Sequence, residues 1–186
     1  MSTQQSPDIT IRRAHPGDEQ ALALVGAATF LETFSGILDG NAIVGHCGKA
    51  HAPAQYAHWL RDPRCALWLA GLVPGDAPVG YAVVAPADLP AADPARDLEL
   101  KRIYLLGRFH GGGTGGLLLQ HAIAHATAAG AARLLLGVYA DNHAAQAFYR
   151  RKGFVHIADR RFRVGDRDYD DHVMGLALDC RPRLLD

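Results

Sequence analysis

Cysteine is scarce: Cys47, Cys65 and Cys180 are the only three in 186 residues. They are far apart, odd in number and form no CxxC, so no disulfide framework is indicated and the pattern suits a reducing compartment. An excess of either charge is missing too. Lys+Arg and Asp+Glu number 19 each, and the formal net charge is zero. Such a chain has no general electrostatic reason to bind nucleic acid or an anionic membrane. Arg150-Arg151-Lys152 and Arg160-Arg161 are the candidate local basic patches. No apolar run reaches the roughly 20 residues that span a bilayer, and residues 1–7 lack the basic and apolar parts of a signal peptide. The expectation is a soluble cytoplasmic protein.

Several catalytic signatures are absent as well. No GxSxG marks a nucleophile elbow, and no Ser/His/Asp set stands out. Ten histidines invite a metal reading. His121 and His125 have the i, i+4 spacing of a zinc pair, but no HExxH accompanies them and no third ligand is evident. His46, Cys47, His51 and His58 form a looser cluster, best explained by polar surface or local hydrogen bonds. No metal is expected.

What is present is enough apolar material for a core, 49% of residues. Its order predicts one domain over 8–180, with tails at 1–7 and 181–186. Ile9–Arg12 alternates like a strand. Asp18 can cap a helix over Glu19–Phe34, on which Leu22, Val25, Thr29, Phe30 and Thr33 trace one face. Ser35–His51 carries Gly36, Gly40, Gly45 and Gly48 and is expected to be weakly ordered or to break into short pieces. A short helix is expected over Pro53–Leu60. Strands follow at Cys65–Val73, Val79–Ala85 and Leu98–Leu106, then a helix at Leu117–Ala129. Arg133–Tyr139 reads as a strand covered on both faces. A helix over Asn142–Lys152 ends at Gly153. Phe154–Val164 and Asp168–Leu178 form a hairpin through Gly165-Asp166. The sum is a mixed α/β sheet flanked by helices.

Between a strand and a helix lies His110-Gly111-Gly112-Gly113-Thr114-Gly115-Gly116. Such a loop exposes successive backbone N–H groups, and the helix behind it adds the positive end of its dipole. Glycine lets a diphosphate approach where a Cβ would block it. Gly111, Gly113 and Gly116 literally fit the dinucleotide pattern GxGxxG. The loop starts too late in the chain for a doubly wound sheet, however. A P-loop is excluded, because no Lys-Ser/Thr follows the glycines.

The segment His110–Gly115 resembles the Q/R-x-x-G-x-G/A loop of the GNAT superfamily of N-acetyltransferases, with His110 where Gln or Arg is usual. A second segment, Asn142-His143-Ala144-Ala145-Gln146-Ala147-Phe148-Tyr149-Arg150-Arg151-Lys152-Gly153-Phe154, resembles that family's N-x-x-A-x-x-F/Y-Y-x-x-x-G-F. Thr29–Phe34, Val79-Gly80-Tyr81 and the hairpin ending also resemble its polyamine (spermidine/spermine) N-acetyltransferase branch. The resemblance implies a central twisted mixed sheet whose fourth and fifth strands splay. It implies acetyl-CoA as acetyl donor, direct transfer to a primary amine in a ternary complex, and no metal.

Site residues follow from the same resemblance. Gly111, Gly112, Gly113, Thr114, Gly115 and Gly116, with His110, would cradle the pyrophosphate. The backbone of Ile103 and Leu105 would pair with the pantetheine amides, and the Leu105 N–H could polarise the thioester carbonyl. Asn142 would contact the cofactor and can also cap its helix. Tyr149, a phenol with a pKa near about 10, would protonate the departing thiolate. Strand alternation puts Glu99 on the face of Ile103 and Leu105, unless a bulge intervenes. Glu99 is then either a water-linked base or a strand carboxylate paired with Lys101 or Arg102. Glu32 is a second base candidate or, with Phe34, an acceptor-side contact. The acceptor stays open: a polyamine, another metabolite amine, an antibiotic or a protein N-terminus, with a homodimer as a further option. A non-catalytic CoA-binding module and, behind it, an NAD(P)-binding oxidoreductase are the alternatives.

Overall fold

The computed structural model describes residues 8–165 and 167–178. The expected tails, Asp166 and Cys180 lie outside the described residues. The chain runs β1 (Ile9–Arg13), α1 (Glu19–Phe34), α2 (Gly40–Ala50), α3 (Pro53–Arg61), β2 (Ala66–Leu72), β3 (Ala77–Pro86), β4 (Asp97–Leu105), α4 (Thr114–Ala128), β5 (Arg133–Tyr139), α5 (His143–Arg151), β6 (Val155–Val164) and β7 (Arg167–Ala177). The seven strands form one sheet in the order β1-β2-β3-β4-β5-β7-β6. Neighbours are antiparallel except β4 and β5, which run parallel.

Alternation along β2 and β3 sorts their side chains between two cores. Ala66, Trp68, Ala70, Ala82 and Val84 face α4 and α5, where Leu118, Leu119, Tyr149 and Phe154 are buried. Leu67, Leu69, Tyr81, Val83 and Ala85 face α1 and α3, meeting Leu22, Val25 and Tyr56. The first set defines face one of the sheet, the second face two.

Three local expectations are revised. Asp18 sits at the N-cap of α1, but its carboxylate bonds Arg12 and the His15 N–H instead of capping the helix. Residues 40–50 are helical despite their glycines. Asp39 caps α2 by accepting from the Asn41 and Ala42 N–H groups. Ile43 then anchors α2 by burial with Phe30, Leu38 and Val164. Helix α4 begins at Thr114, ahead of the expected Leu117, so Gly115 and Gly116 belong to its first turn.

Candidate active site

β4 and β5 pair only over Asp97–Glu99 and Arg133–Leu135. Beyond Glu99, β4 stays hydrogen-bonded to β3 alone. The Leu106 N–H donates to the Val79 carbonyl across that β3 edge. The two-residue alternation of an antiparallel ladder therefore turns the backbone groups of Ile103 and Leu105 the other way, toward β5. They border a wedge between the splayed strands. The far edge of β5 is occupied by β7 along its whole length.

The wedge leads to the glycine loop. After a short 3₁₀ turn over Gly107–Phe109, Gly111 and Gly113 take φ of +86° each, a region that strains any side chain, and Gly113 is the N-cap of α4. No side chain caps this helix end. The first intrahelical bond is made by the Leu117 N–H to the Gly113 carbonyl. The Thr114, Gly115 and Gly116 N–H groups thus have no partner within the helix. Gly115 is informative because neither backbone strain nor packing demands it: a Cβ there would meet nothing within 4 Å. Open space in front of free N–H groups is what a phosphate-bearing ligand requires. Lys152, read from sequence only as part of a basic patch, brings its Nζ to within 3.8 Å of where a Cβ on Gly116 would stand. His110 departs from the motif in role as well as identity, since its Nε2 bonds the Leu105 carbonyl at 2.8 Å.

Asn142 caps α5 by accepting from the Ala145 N–H at 3.0 Å. Two turns on, Tyr149 is buried on face one against Phe148 and Phe154. Its hydroxyl has no hydrogen-bond partner among the described residues. Burial, and secondarily the Tyr104 hydroxyl, push its pKa above the ordinary tyrosine value.

On face two lies a cavity of about 320 Å³, bounded by α1, α2, α3, β4, β5 and the β6–β7 hairpin. Phe34 lines it; Glu32 does not. The Glu32 carboxylate instead accepts from the Gly107 N–H at 2.7 Å, tying α1 to the start of the glycine loop. Glu99 also lines the cavity, which corrects the face expected for it. Val83 pairs with Arg102 and Val84 with Leu100, so Lys101 is the extra residue of a β-bulge. The bulge cancels the alternation. Glu99 joins Arg102 and Tyr104 on face two, while Ile103 and Leu105 pack on face one. Its Oε2 accepts from Lys101 Nζ at 2.8 Å and from the Asp88 N–H at 3.0 Å, and its Oε1 has no partner among the described residues.

Other groups at the cavity were given no acceptor-side role from sequence, because long-range pairing alone brings them there. Arg160 bonds Asp171 from the neighbouring strand and lies over β5, where a Cβ on Gly137 would fall on its guanidinium. Burial raises the Asp171 carboxyl pKa against the pull of Arg160. Arg102 holds α2 and α3 in place through Ala50, His51 and Tyr56. Of the histidines weighed as metal ligands, His46 stacks on Phe30 at 4.3 Å. His121 and His125 pack beside Trp68. A different trio, His156, Asp159 and His172, brings three potential cation ligands within 4.8 Å on the β6–β7 hairpin. None of the three lines the cavity.

Comparison with known proteins places this geometry. A sequence profile of the acetyltransferase (GNAT) family matches residues 31–154. An uncharacterised N-acetyltransferase of Mycobacterium tuberculosis is 34% identical over 160 residues, covering 84% of this chain and 96% of that one. The PaiA N-acetyltransferase of Thermoplasma acidophilum, solved with coenzyme A, superposes with a TM-score of 0.73 at 19% identity, over 91% of this chain and 99% of that one. A GNAT-family acetyltransferase of Streptococcus pneumoniae gives 0.67 at 25% identity, over 92% and 99%. The fold is the mixed α/β acyltransferase fold with splayed fourth and fifth strands, and the chain belongs to the GNAT family of acetyltransferases.

Proposed function

We propose that residues 8–180 act as one catalytic domain. It transfers the acetyl group of acetyl-CoA to a primary amine by direct attack in a ternary complex. The observation that carries this reading is the wedge between β4 and β5. One end of it opens beside the partnerless N–H groups of α4, and the aromatic cavity adjoins it on face two. The thioester supplies an activated acetyl group; the chain supplies position and proton transfer. The Thr114–Gly116 N–H groups and Lys152 hold the pyrophosphate, aided by the helix dipole. The outward-turned backbone of Ile103 and the Leu105 N–H align the pantetheine arm, the Leu105 carbonyl being held by His110, with Asn142 nearby on the α5 side. The amine enters from the cavity along Phe34.

Tyr149 is assigned as proton donor to the departing thiolate. Its raised pKa keeps it protonated at neutral pH, and its hydroxyl is bonded to no group among the described residues. Glu99 is assigned as base through a water at Oε1, the oxygen that Lys101 and Asp88 leave open. No metal enters the reaction, and the setting is cytoplasmic. The test is Tyr149→Phe, assayed by free-thiol release with an acetylatable amine. Loss of a general acid should lower kcat about a hundredfold, while acetyl-CoA affinity by calorimetry holds. Unchanged kcat would remove Tyr149 from the mechanism. Acetyl-CoA binding without turnover of any amine would favour a non-catalytic CoA-binding module.

A further inference from the structure

The charges around the cavity do not suit a polycation. Two acidic and three basic side chains line it: Glu99 and Asp171, and Lys101, Arg102 and Arg160. Both carboxylates are already neutralised, Glu99 by Lys101 and Asp171 by Arg160. Glu32, the acidic residue offered as an acceptor-side contact, is outside the lining and bonded to Gly107. Arg102 is the remainder, and among the described residues it has no carboxylate partner.

Arg102 is nonetheless fixed with care. Its Nη1 donates to the Tyr56 hydroxyl at 2.8 Å and meets His51 Nδ1 at 3.3 Å; its Nη2 donates to the Ala50 carbonyl at 2.6 Å. The guanidinium also lies over the rings of Tyr56 and Trp59, 5.4 and 4.9 Å from their centroids. Every one of these partners is uncharged. A guanidinium has five N–H donors, so the Nε–H and one Nη2–H are left without a partner among the described residues. A part-buried cation without a counter-charge is costly, and a guanidinium edge recognises an anion in a forked geometry. Burial, and after it the charge of Arg102, hold His46 and His51 in their neutral forms. The positive potential on this wall therefore comes from Arg102 itself.

We infer that the acceptor is a primary amine that also carries one anionic group, an amino carboxylate with an apolar or aromatic body. Its carboxylate sits on Arg102. Its body lies against Phe30, Phe34, Trp59 and Phe162, and its amine points to the wedge. Such a molecule adds no net charge to the cavity and completes the arginine. A polyamine adds several positive charges beside an uncompensated one. This inference rests on the acetyl-transfer reading and narrows its acceptor.

The experiment compares phenylalanine, phenylalaninamide and spermidine as acceptors, by thiol release and mass detection of the acetylated product. The amide keeps the body and amine but lacks the anion, and it stands in for a peptide N-terminus. The expected result is a kcat/KM for phenylalanine at least tenfold above the amide, with spermidine lowest. Arg102→Gln should bring the acid-to-amide ratio near one. Arg102→Lys, which keeps the charge without the fork, should leave it intermediate. The ratio within each variant cancels general loss of activity. A ratio unaltered in both variants would overturn the seat on Arg102. Spermidine or the amide outperforming phenylalanine would overturn the acceptor class while leaving acetyl transfer standing. No turnover in any arm, with acetyl-CoA bound by calorimetry, would count against acetyl transfer itself and against the acceptor class with it.

Discussion

His51 is 3% exposed and holds a neutral ring between Arg102 and Tyr56. Room for it comes from Gly26 on α1, where a Cβ would collide with the Tyr56 hydroxyl and His51 Nδ1. Burial first, then the charge of Arg102, depress its pKa to about 3 from an ordinary 6.5. The unfolded chain accordingly takes up a proton that the folded chain refuses. Stability carries no such penalty above pH about 6.5 and declines as the pH falls toward 3. Over the middle of that window the slope from His51 should approach about 1.4 kcal/mol per pH unit. Urea denaturation of the protein and of His51→Gln at pH about 7.5, 6 and 5 measures this. A variant slope as steep as the parent's would show that His51 titrates normally. Single residues were also where sequence reasoning was weakest. Tyr149 and Asn142 could be named because a contiguous motif carries them. Arg102, Arg160 and Asp171 could not, because their roles arise only once β4, β5, β6 and β7 lie side by side. Glu99 was named but placed on the wrong face, since one extra residue at Lys101 reverses alternation and leaves no mark in composition.

Among the elements, α2 was the least legible. Its glycines argue against a helix, as each costs about 1 kcal/mol relative to alanine. The compensation is partly local, in the Asp39 cap, and partly distant, in the burial of Ile43 beside Val164 of β6. Only the first was open to inspection in the chain itself. Helices α1, α4 and α5 and all seven strands had a periodicity or turn signal strong enough to be read. Asp39→Ala should cost about 1 kcal/mol of stability through the lost cap. Because α2 carries His46 to the cavity wall, the same change should raise KM for the acceptor several-fold and leave acetyl-CoA affinity nearly constant. Titration of the two substrates separately checks this. A parallel loss of acetyl-CoA affinity would mean that α2 supports the whole fold and not the acceptor side alone.

On the scale of the molecule, the sheet divides two tasks between its faces. In the proposed reading the glycine loop and α5 serve the cofactor from face one, while α1, α2 and the β6–β7 hairpin bound the cavity on face two. That division could be anticipated from the family pattern, whereas the shape and charge of the cavity could not. The short pairing of Asp97–Glu99 with Arg133–Leu135, backed by the Arg133–Asp97 ion pair, has a further consequence. Mechanically, β1–β4 and β5–β7 are two plates joined along a three-residue seam, with the wedge as their gap. A ligand bonded to the free edge of β4 on one side and to α5 on the other would act as a cross-link between the plates. Hydrogen exchange should then slow on adding coenzyme A at the Ile103 and Leu105 amides and across the seam, with no change in the β1–β2 ladder. Protection confined to the glycine loop would show that the plates are already locked. If they are not, the protein's resistance to unfolding rises and falls with the concentration of its own acetyl donor.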